Sequence, residues 1–379
     1  MTENRLEKII SSRIRENGGK ITFSDFMTAC LYEPGLGYYT SPGRKVGKEG
    51  DFFTSITVHA AFGRVIAREI AAMWRSMGEP SVFTLVEVGA GHGRLACDIM
   101  DFVKKHHPAC HASTRLVLVE KEPSLAEAQA ALLAAHSERL AWLTPEQFRD
   151  YRFSGVLYSN ELIDAMPVHR VMMTPEGLKE IFVVLEGDGF GERLGEPSSP
   201  DISAYFEHYG VPLHPGQEAE VSLAAINWLE AVSASLERGF ILTVDYGFPM
   251  EELYTPRRKQ GTMLCYHRHK VEDNPYVRIG EQDITTHINF SALMRKGNGL
   301  GLSTVWFGEQ YRFLLSSGIV EEFEAIEASS LSEKEKLSQS LTLKRLVMPE
   351  GGMGDTFRVL VQSRGVDNPV LGCLKGIGI

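Results

Sequence analysis

The stretch Leu85-Val-Glu-Val-Gly-Ala-Gly-His-Gly-Arg-Leu95 constrains this chain more than any other, because an apolar run closes on three glycines at alternate positions and then passes into a helical pattern. That order reads as a strand, a tight loop and a helix start. Glycines in such a loop let the backbone approach a ligand closely, and the helix that follows presents unpaired N–H groups to it. This is the layout of a nucleotide-type cofactor site.

The spacing narrows the ligand. A dinucleotide fingerprint runs G-x-G-x-x-G, with its third glycine where helix and strand pack closely. Here that position is Arg94, and the pattern is instead E-x-G-x-G-x-G, with Glu87 two residues ahead of Gly89 and with Gly91 and Gly93 following. An acid beside the loop repels a pyrophosphate but suits the ammonium and sulfonium charges of S-adenosylmethionine. A second apolar run, Arg115-Leu-Val-Leu-Val-Glu120, also ends in an acid, whose carboxylate can accept both hydroxyls of a ribose. Acids at two consecutive strand ends favour S-adenosylmethionine over NAD as the cofactor.

At 379 residues the chain exceeds an ordinary single domain, so one large α/β domain with insertions, or two domains sharing a cleft, is expected. With 43% hydrophobic residues and no long apolar run, it carries no membrane span. A formal charge of −10 speaks against a general nucleic-acid surface, which is normally basic. The first ten residues mix both charge signs and read as an amphipathic helix, not a signal or transit peptide, so a cytoplasmic location is expected. The five cysteines are scattered and the histidines lack ligand spacing, so free thiols and no metal site are expected.

Residues 57–77 read as a helix stopped by Gly78. Strands at 82–88, 116–120 and 155–159 alternate with helices at 94–106 and 123–136, the signature of βαβ units in a parallel sheet. After Val168 the runs at 169–173 and 179–185, joined across Thr174-Pro-Glu-Gly177, predict a β-hairpin. A loop at 187–200, a helix at 218–237 and a buried strand at 239–247 follow. Residues 248–300 show no period and read as a long loop insertion, of the kind that often carries function. Strands at 303–307 and 356–362, with helices at 309–316 and 331–346, complete a seven-stranded, mostly parallel sheet with an antiparallel edge. The segments so defined are a helical N-terminal part (1–56), a first core part (57–168), an inserted hairpin and loop (169–217), a second core part (218–247), a loop insertion (248–300) and a C-terminal core part (301–379).

In an open α/β sheet, ligands bind beyond the carboxyl ends of the strands. Besides the glycine loop, two clusters fall there. One is Ser159-Asn-Glu-Leu-Ile-Asp-Ala-Met-Pro-Val-His169, in which a helical turn would put Glu161 and Asp164 on one face. Paired carboxylates suit a planar guanidinium and can remove a proton from a nitrogen nucleophile. The bland alternatives are a helix cap at Asp164 and a solvated Glu161. Asn160 is either a turn residue or an amide holding the cofactor's amino-acid part or the substrate nitrogen. The other cluster is Asp245-Tyr-Gly247, where Asp245 is either an active-site acid or a strand-end residue bonded to a neighbouring loop.

Taken together, the motifs resemble the MidA family, bacterial relatives of the mitochondrial complex I assembly factor that is a protein arginine methyltransferase. Its marks run nearly end to end: Tyr32-Glu-Pro-Gly-Leu-Gly-Tyr-Tyr39, Gly50-Asp-Phe-Phe-Thr-Ser55, the glycine loop, the Ser159–His169 stretch, Val244-Asp-Tyr-Gly247, Gln282-Asp-Ile-Thr-Thr-His-Ile-Asn-Phe290 and Met353-Gly-Asp-Thr-Phe357. The resemblance implies a Rossmann-like class I methyltransferase core, bound S-adenosylmethionine and a helical N-terminal segment that helps to close the site. It sets Gly89, Gly91 and Gly93 against the cofactor with Glu120 on its ribose, adds Asp51, Thr54 and Ser55 as cleft residues, and implies a protein substrate of the complex I subunit type. One departure is Asn289, where the family pattern has an acid. Three readings follow: an S-adenosylmethionine-dependent protein arginine methyltransferase, a small-molecule methyltransferase, and an assembly chaperone that keeps the cofactor as a structural ligand.

Overall fold

The computed structural model describes residues 5–41, 59–210, 213–268, 270–348 and 353–376. The chain divides into two compact units: residues 1–53, 163–228 and 246–293 form the first, and residues 54–162, 229–245 and 294–379 form the second.

The second unit is built on a sheet whose central strands are largely buried. Its strands are β1 (Phe83–Val88), β2 (Thr114–Val119), β3 (Leu140–Leu143), β4 (Phe153–Asn160), β5 (Leu236–Phe248), β6 (Ser303–Glu309) and β7 (Phe357–Arg364). They lie in the order β6-β7-β5-β4-β1-β2-β3, and a short eighth strand, Ile288–Asn289, pairs parallel with the end of β5, so the sheet has one strand more than the seven expected. The pairs β5–β4, β4–β1, β1–β2 and β2–β3 are parallel, and β6–β7 is antiparallel. An α/β sheet with an antiparallel edge is therefore what the alternation of strands and helices encodes. Both faces of a parallel sheet are covered, so its central strands carry continuous apolar stretches rather than an alternation; Phe83, Leu116, Val156 and Phe240 are fully buried.

The helix expected over 57–77 spans Ala61–Ser76 among the described residues, with Phe62, Val65, Ile66, Ile70 and Met73 inside, and it packs on the helix Arg94–His106. A Cβ on Gly63 would stand 2.7 Å from Asp98 Cβ, so the two helices approach as closely as they do only because that residue is glycine. Strand β3 and the helices Pro145–Asp150 and Val320–Glu327 have no counterpart in the sequence reading.

In the first unit the hairpin is present as His169–Thr174 against Gly177–Glu186. Three readings around it need correction. The stretch 187–200, read as a loop on its glycines, contains a third strand, Gly189–Gly195, which folds back antiparallel on Gly177–Glu186 through the two-residue loop Gly187-Asp188. A helix, Pro200–Tyr209, follows it. The helix expected over 218–237 begins only at Leu223, because Glu218–Val221 is captured as a strand by His169–Thr174. Here tertiary pairing overrides the helical preference of Glu and Ala.

The 248–300 stretch is not one loop. It holds the strands Leu264–His267, Lys270–Glu272 and Asp283–Thr285 in a small antiparallel sheet, then Ile288–Asn289 and the helix Phe290–Gly299. Strands of two to four residues are too short to show a period. The core of this unit joins the N-terminal helix Arg5–Glu16, through Leu6, Ile10 and Ile14, to Phe23, Phe26, Tyr38, Val183 and Ile284.

Candidate functional site

In the second unit, the carboxyl ends of β1, β2, β4 and β5 carry most of the residues singled out above. After β1 the chain turns through Gly89, Gly91 and Gly93, whose φ angles are 75°, 52° and 81°. At Gly89 a Cβ would also sit 2.8 Å from Leu162 Cδ1, so backbone conformation and space both demand glycine there. Gly93 is the N-cap of the helix Arg94–His106 and has no side chain to cap it; the Glu87 carboxyl takes the Ala96 N–H from below. Gly89 and Gly91 are exposed. The loop thus offers bare backbone beside the helix N-terminus, where a ligand's polar atoms can be received.

Glu87 lies beneath this loop. It is 2% exposed, its register partner on β4 is Tyr158, and the Tyr158 hydroxyl donates to Glu87 Oε2 at 2.8 Å. Burial pushes its carboxyl up to about 8, against the Tyr158 hydrogen bond and the Ala96 N–H, which favour the charged form. Glu87 is therefore a buried, proton-holding group under the loop, not an exposed countercharge.

Glu120, just past β2, is half-buried and held from three sides. Its Oε1 accepts the N–H groups of Lys121 (2.8 Å) and Glu122 (2.9 Å), and its Oε2 accepts Gln129 Nε2 at 3.1 Å. Gln129 Nε2 also donates to the Gly91 carbonyl (2.7 Å), and Gln129 Oε1 accepts the indole N–H of Trp142 (2.9 Å). The sequence reading missed Gln129; the one trace of it is a lone amide in the alanine-rich run Pro123-Ser-Leu-Ala-Glu-Ala-Gln-Ala-Ala-Leu132.

Beyond β4, the expected helical turn is absent. Glu161 takes a left-handed conformation, with φ 50°; its N–H goes to Val244 O (3.0 Å), and the Leu162 N–H goes to Asp245 Oδ2 (3.1 Å). Backbone groups that would have opened a helix are bound to β5 instead, so Glu161 and Asp164 do not share a helical face. Asp245 is fully buried and holds the loop, the second of the two roles open for it in the sequence. Asn160 Nδ2 donates to Glu161 Oε1 at 2.9 Å, whereas Asn160 Oδ1 is buried with no hydrogen-bond partner among the described residues.

Asp164 belongs to the first unit, where it is 5% exposed and its carbonyl accepts the Thr286 N–H. The family marks near the N-terminus and at 282–290 meet in this unit. Tyr32 and Tyr39 stack, and the Tyr39 hydroxyl donates to Asp283. Burial, then the charges of Asp283 and Asp164, raises the pKa of both hydroxyls. Asn289 plays a structural part, in which Oδ1 accepts the Ala292 N–H in the first turn of its helix and Nδ2 donates to the Tyr205 hydroxyl at 2.9 Å. The cavity it lines, with Tyr205, Tyr254 and Glu220, measures about 20 Å³, room for a single water and not for a substrate side chain. Asp51, Thr54 and Ser55 lie outside the described residues. Among those described, no group of three His, Cys, Asp or Glu is placed to hold a metal ion, and no helix is long and apolar enough to cross a membrane.

Residues 65–308 match the family of S-adenosyl-L-methionine-dependent methyltransferases. The chain belongs to that family. It is 29% identical to the Drosophila melanogaster mitochondrial protein arginine methyltransferase NDUFAF7 homolog, over 92% of this chain and 82% of that one. Its identity to the Homo sapiens mitochondrial protein arginine methyltransferase NDUFAF7 is 27%, over 89% and 79%. A Burkholderia thailandensis protein crystallised with S-adenosyl-homocysteine superposes with a TM-score of 0.87 at 30% identity, over 98% of this chain and 95% of that one. The family that the motifs resemble is thus the one the chain falls in, with its mixed α/β fold and its S-adenosylmethionine dependence. The residues present fit that cofactor: an exposed glycine backbone without a phosphate-binding third glycine spacing, a strand-end carboxylate, and a buried amide oxygen in want of a donor, which an ammonium group supplies.

Proposed function

We propose that the protein transfers a methyl group from S-adenosylmethionine to an arginine side chain of another protein. The observation that carries this is the alignment of 92% and 89% of the chain with relatives named protein arginine methyltransferases. The carboxylate of Glu161, bonded to Asn160 beside the glycine loop's neighbouring strand end, supports it. The target class is a subunit of respiratory complex I type, as the family resemblance implies, and the reaction is cytoplasmic.

In this reading Gly89, Gly91 and Gly93 lay their backbone against the cofactor, Glu120 receives the ribose hydroxyls and Asn160 Oδ1 receives the ammonium group. The family resemblance adds Thr54 and Ser55 to this set of residues. When bound, S-adenosylmethionine supplies an electrophilic methyl on a sulfonium sulfur. Glu161 aligns the guanidinium by hydrogen bonding and takes the proton that leaves its nitrogen as the N–C bond forms and the S–C bond breaks. Asp245 is a positioning residue that fixes the Glu161 loop through the Leu162 N–H. Asp164, buried in the tyrosine cluster of the first unit, is given no share in the proton transfer.

The test is to incubate the purified protein and methyl-labelled S-adenosylmethionine with extract from cells lacking the gene, then to separate proteins from metabolites. Label on arginine in the protein fraction supports the proposal. Label confined to metabolites makes the enzyme a small-molecule methyltransferase, and cofactor binding without any transfer makes it an assembly factor.

A further inference from the structure

The helix Pro123–Leu132 is anchored in an unusual way. Its fully buried side chain is not apolar but the amide of Gln129, 0% exposed. A buried amide is costly unless its donors and acceptor are satisfied, and here they all are. Both Nε2 protons are used, on the Gly91 carbonyl and on Glu120 Oε2, while Oε1 takes the Trp142 indole N–H. The orientation of the amide is unambiguous, since an indole N–H can only donate and a carbonyl or carboxylate can only accept. Gln129 Cγ also lies 3.1 Å from where a Gly93 Cβ would be, so the glycine loop rests directly on this side chain.

We propose that Gln129 is a positioning residue for the cofactor: it aims the Glu120 carboxylate at the ribose hydroxyls. The inference rests on the reading of Glu120 as the ribose acceptor. Two backbone N–H groups occupy Glu120 Oε1, so Oε2 is the oxygen with an acceptor site left for a hydroxyl. Gln129 fixes that same oxygen. Trp142, by holding Oε1 of Gln129, fixes Gln129 in turn. A single amide thereby ties the loop that receives the cofactor to the group that reads its sugar, and the helix it sits on gives up a buried position to that tie.

The experiment is a calorimetric double-mutant cycle on the full chain. S-adenosylhomocysteine and its 2′,3′-dideoxyribose analogue are titrated into wild type and Gln129→Met, a substitution of similar length without hydrogen bonds. Wild type should bind the dideoxy analogue at least about tenfold more weakly, the size of a lost hydrogen bond to a charged group. In Gln129→Met, S-adenosylhomocysteine should lose about tenfold in affinity while the dideoxy analogue changes little, so the discrimination collapses toward one. Equal weakening of both ligands would show that Gln129 acts through general packing and would overturn the proposal. If wild type itself fails to discriminate, the Glu120 reading falls first and takes the proposal with it. Should Gln129→Met not fold, Trp142→Phe carries the test: discrimination reduced about threefold supports the proposal, and wild-type discrimination overturns it.

Discussion

Glu87→Gln should change how stability depends on pH, and the size of the change follows from where Glu87 sits. The carboxyl is sealed beneath the glycine loop and burial raises it from 4.5 to about 8. Between those values the folded protein keeps a proton that the unfolded chain has released. The stabilisation that Glu87 contributes is therefore complete below about pH 4.5 and is lost as pH rises through about 8. Integrating the two titrations from pH 5 to pH 8 gives a loss of a few kcal/mol, approaching about 1.4 kcal/mol per pH unit mid-range. Glutamine cannot titrate, and its carbonyl can still accept the Tyr158 hydroxyl. Urea unfolding followed by tryptophan fluorescence at pH 5, 6, 7 and 8 should show the variant gaining on wild type by a few kcal/mol across the range. Parallel pH profiles for the two proteins would refute the reasoning, because they would mean that Glu87 is ionised in both states.

Three further outcomes are expected. Gly89→Ala forces a side chain onto φ 75° and against Leu162, so it should cost about 1–3 kcal/mol by thermal unfolding and abolish calorimetric binding of S-adenosylmethionine. Asp245→Ala leaves the Leu162 N–H without its acceptor; a loss of about 1–3 kcal/mol in stability should accompany slower methyl transfer, and wild-type rates would argue against the positioning role. Glu161→Gln keeps an oxygen for Asn160 Nδ2 but cannot take a proton, so kcat should drop about a hundredfold or more with cofactor affinity unchanged, as read by labelled methyl transfer.

The glycine loop was legible in the sequence because each of its determinants is local: a buried strand, glycines at left-handed positions and an amphipathic helix directly after. The parallel sheet was legible for the same reason, since its central strands carry continuous apolar stretches. What stayed hidden was set by partners distant in the chain. Glu218–Val221 looks helical until His169–Thr174 pairs with it. The Glu161–Asp164 spacing suggests a shared helical face, but Glu161 is left-handed, in a loop held by Val244 and Asp245 more than eighty residues on. Gln129 is informative only through Gly91, Glu120 and Trp142, which lie 38, 9 and 13 residues away. Asn289, a departure in the family motif, turns out to hold the start of a helix and a tyrosine hydroxyl, which no spacing rule reveals.

The most direct test of the central claim compares arginine methylation, by mass spectrometry of the whole proteome, in cells lacking the gene and in the same cells supplied with wild type or Glu161→Gln. At least one methylated arginine should be absent from the deletion strain, restored by wild type and not restored by Glu161→Gln. Identical arginine methylation in all three strains would contradict it.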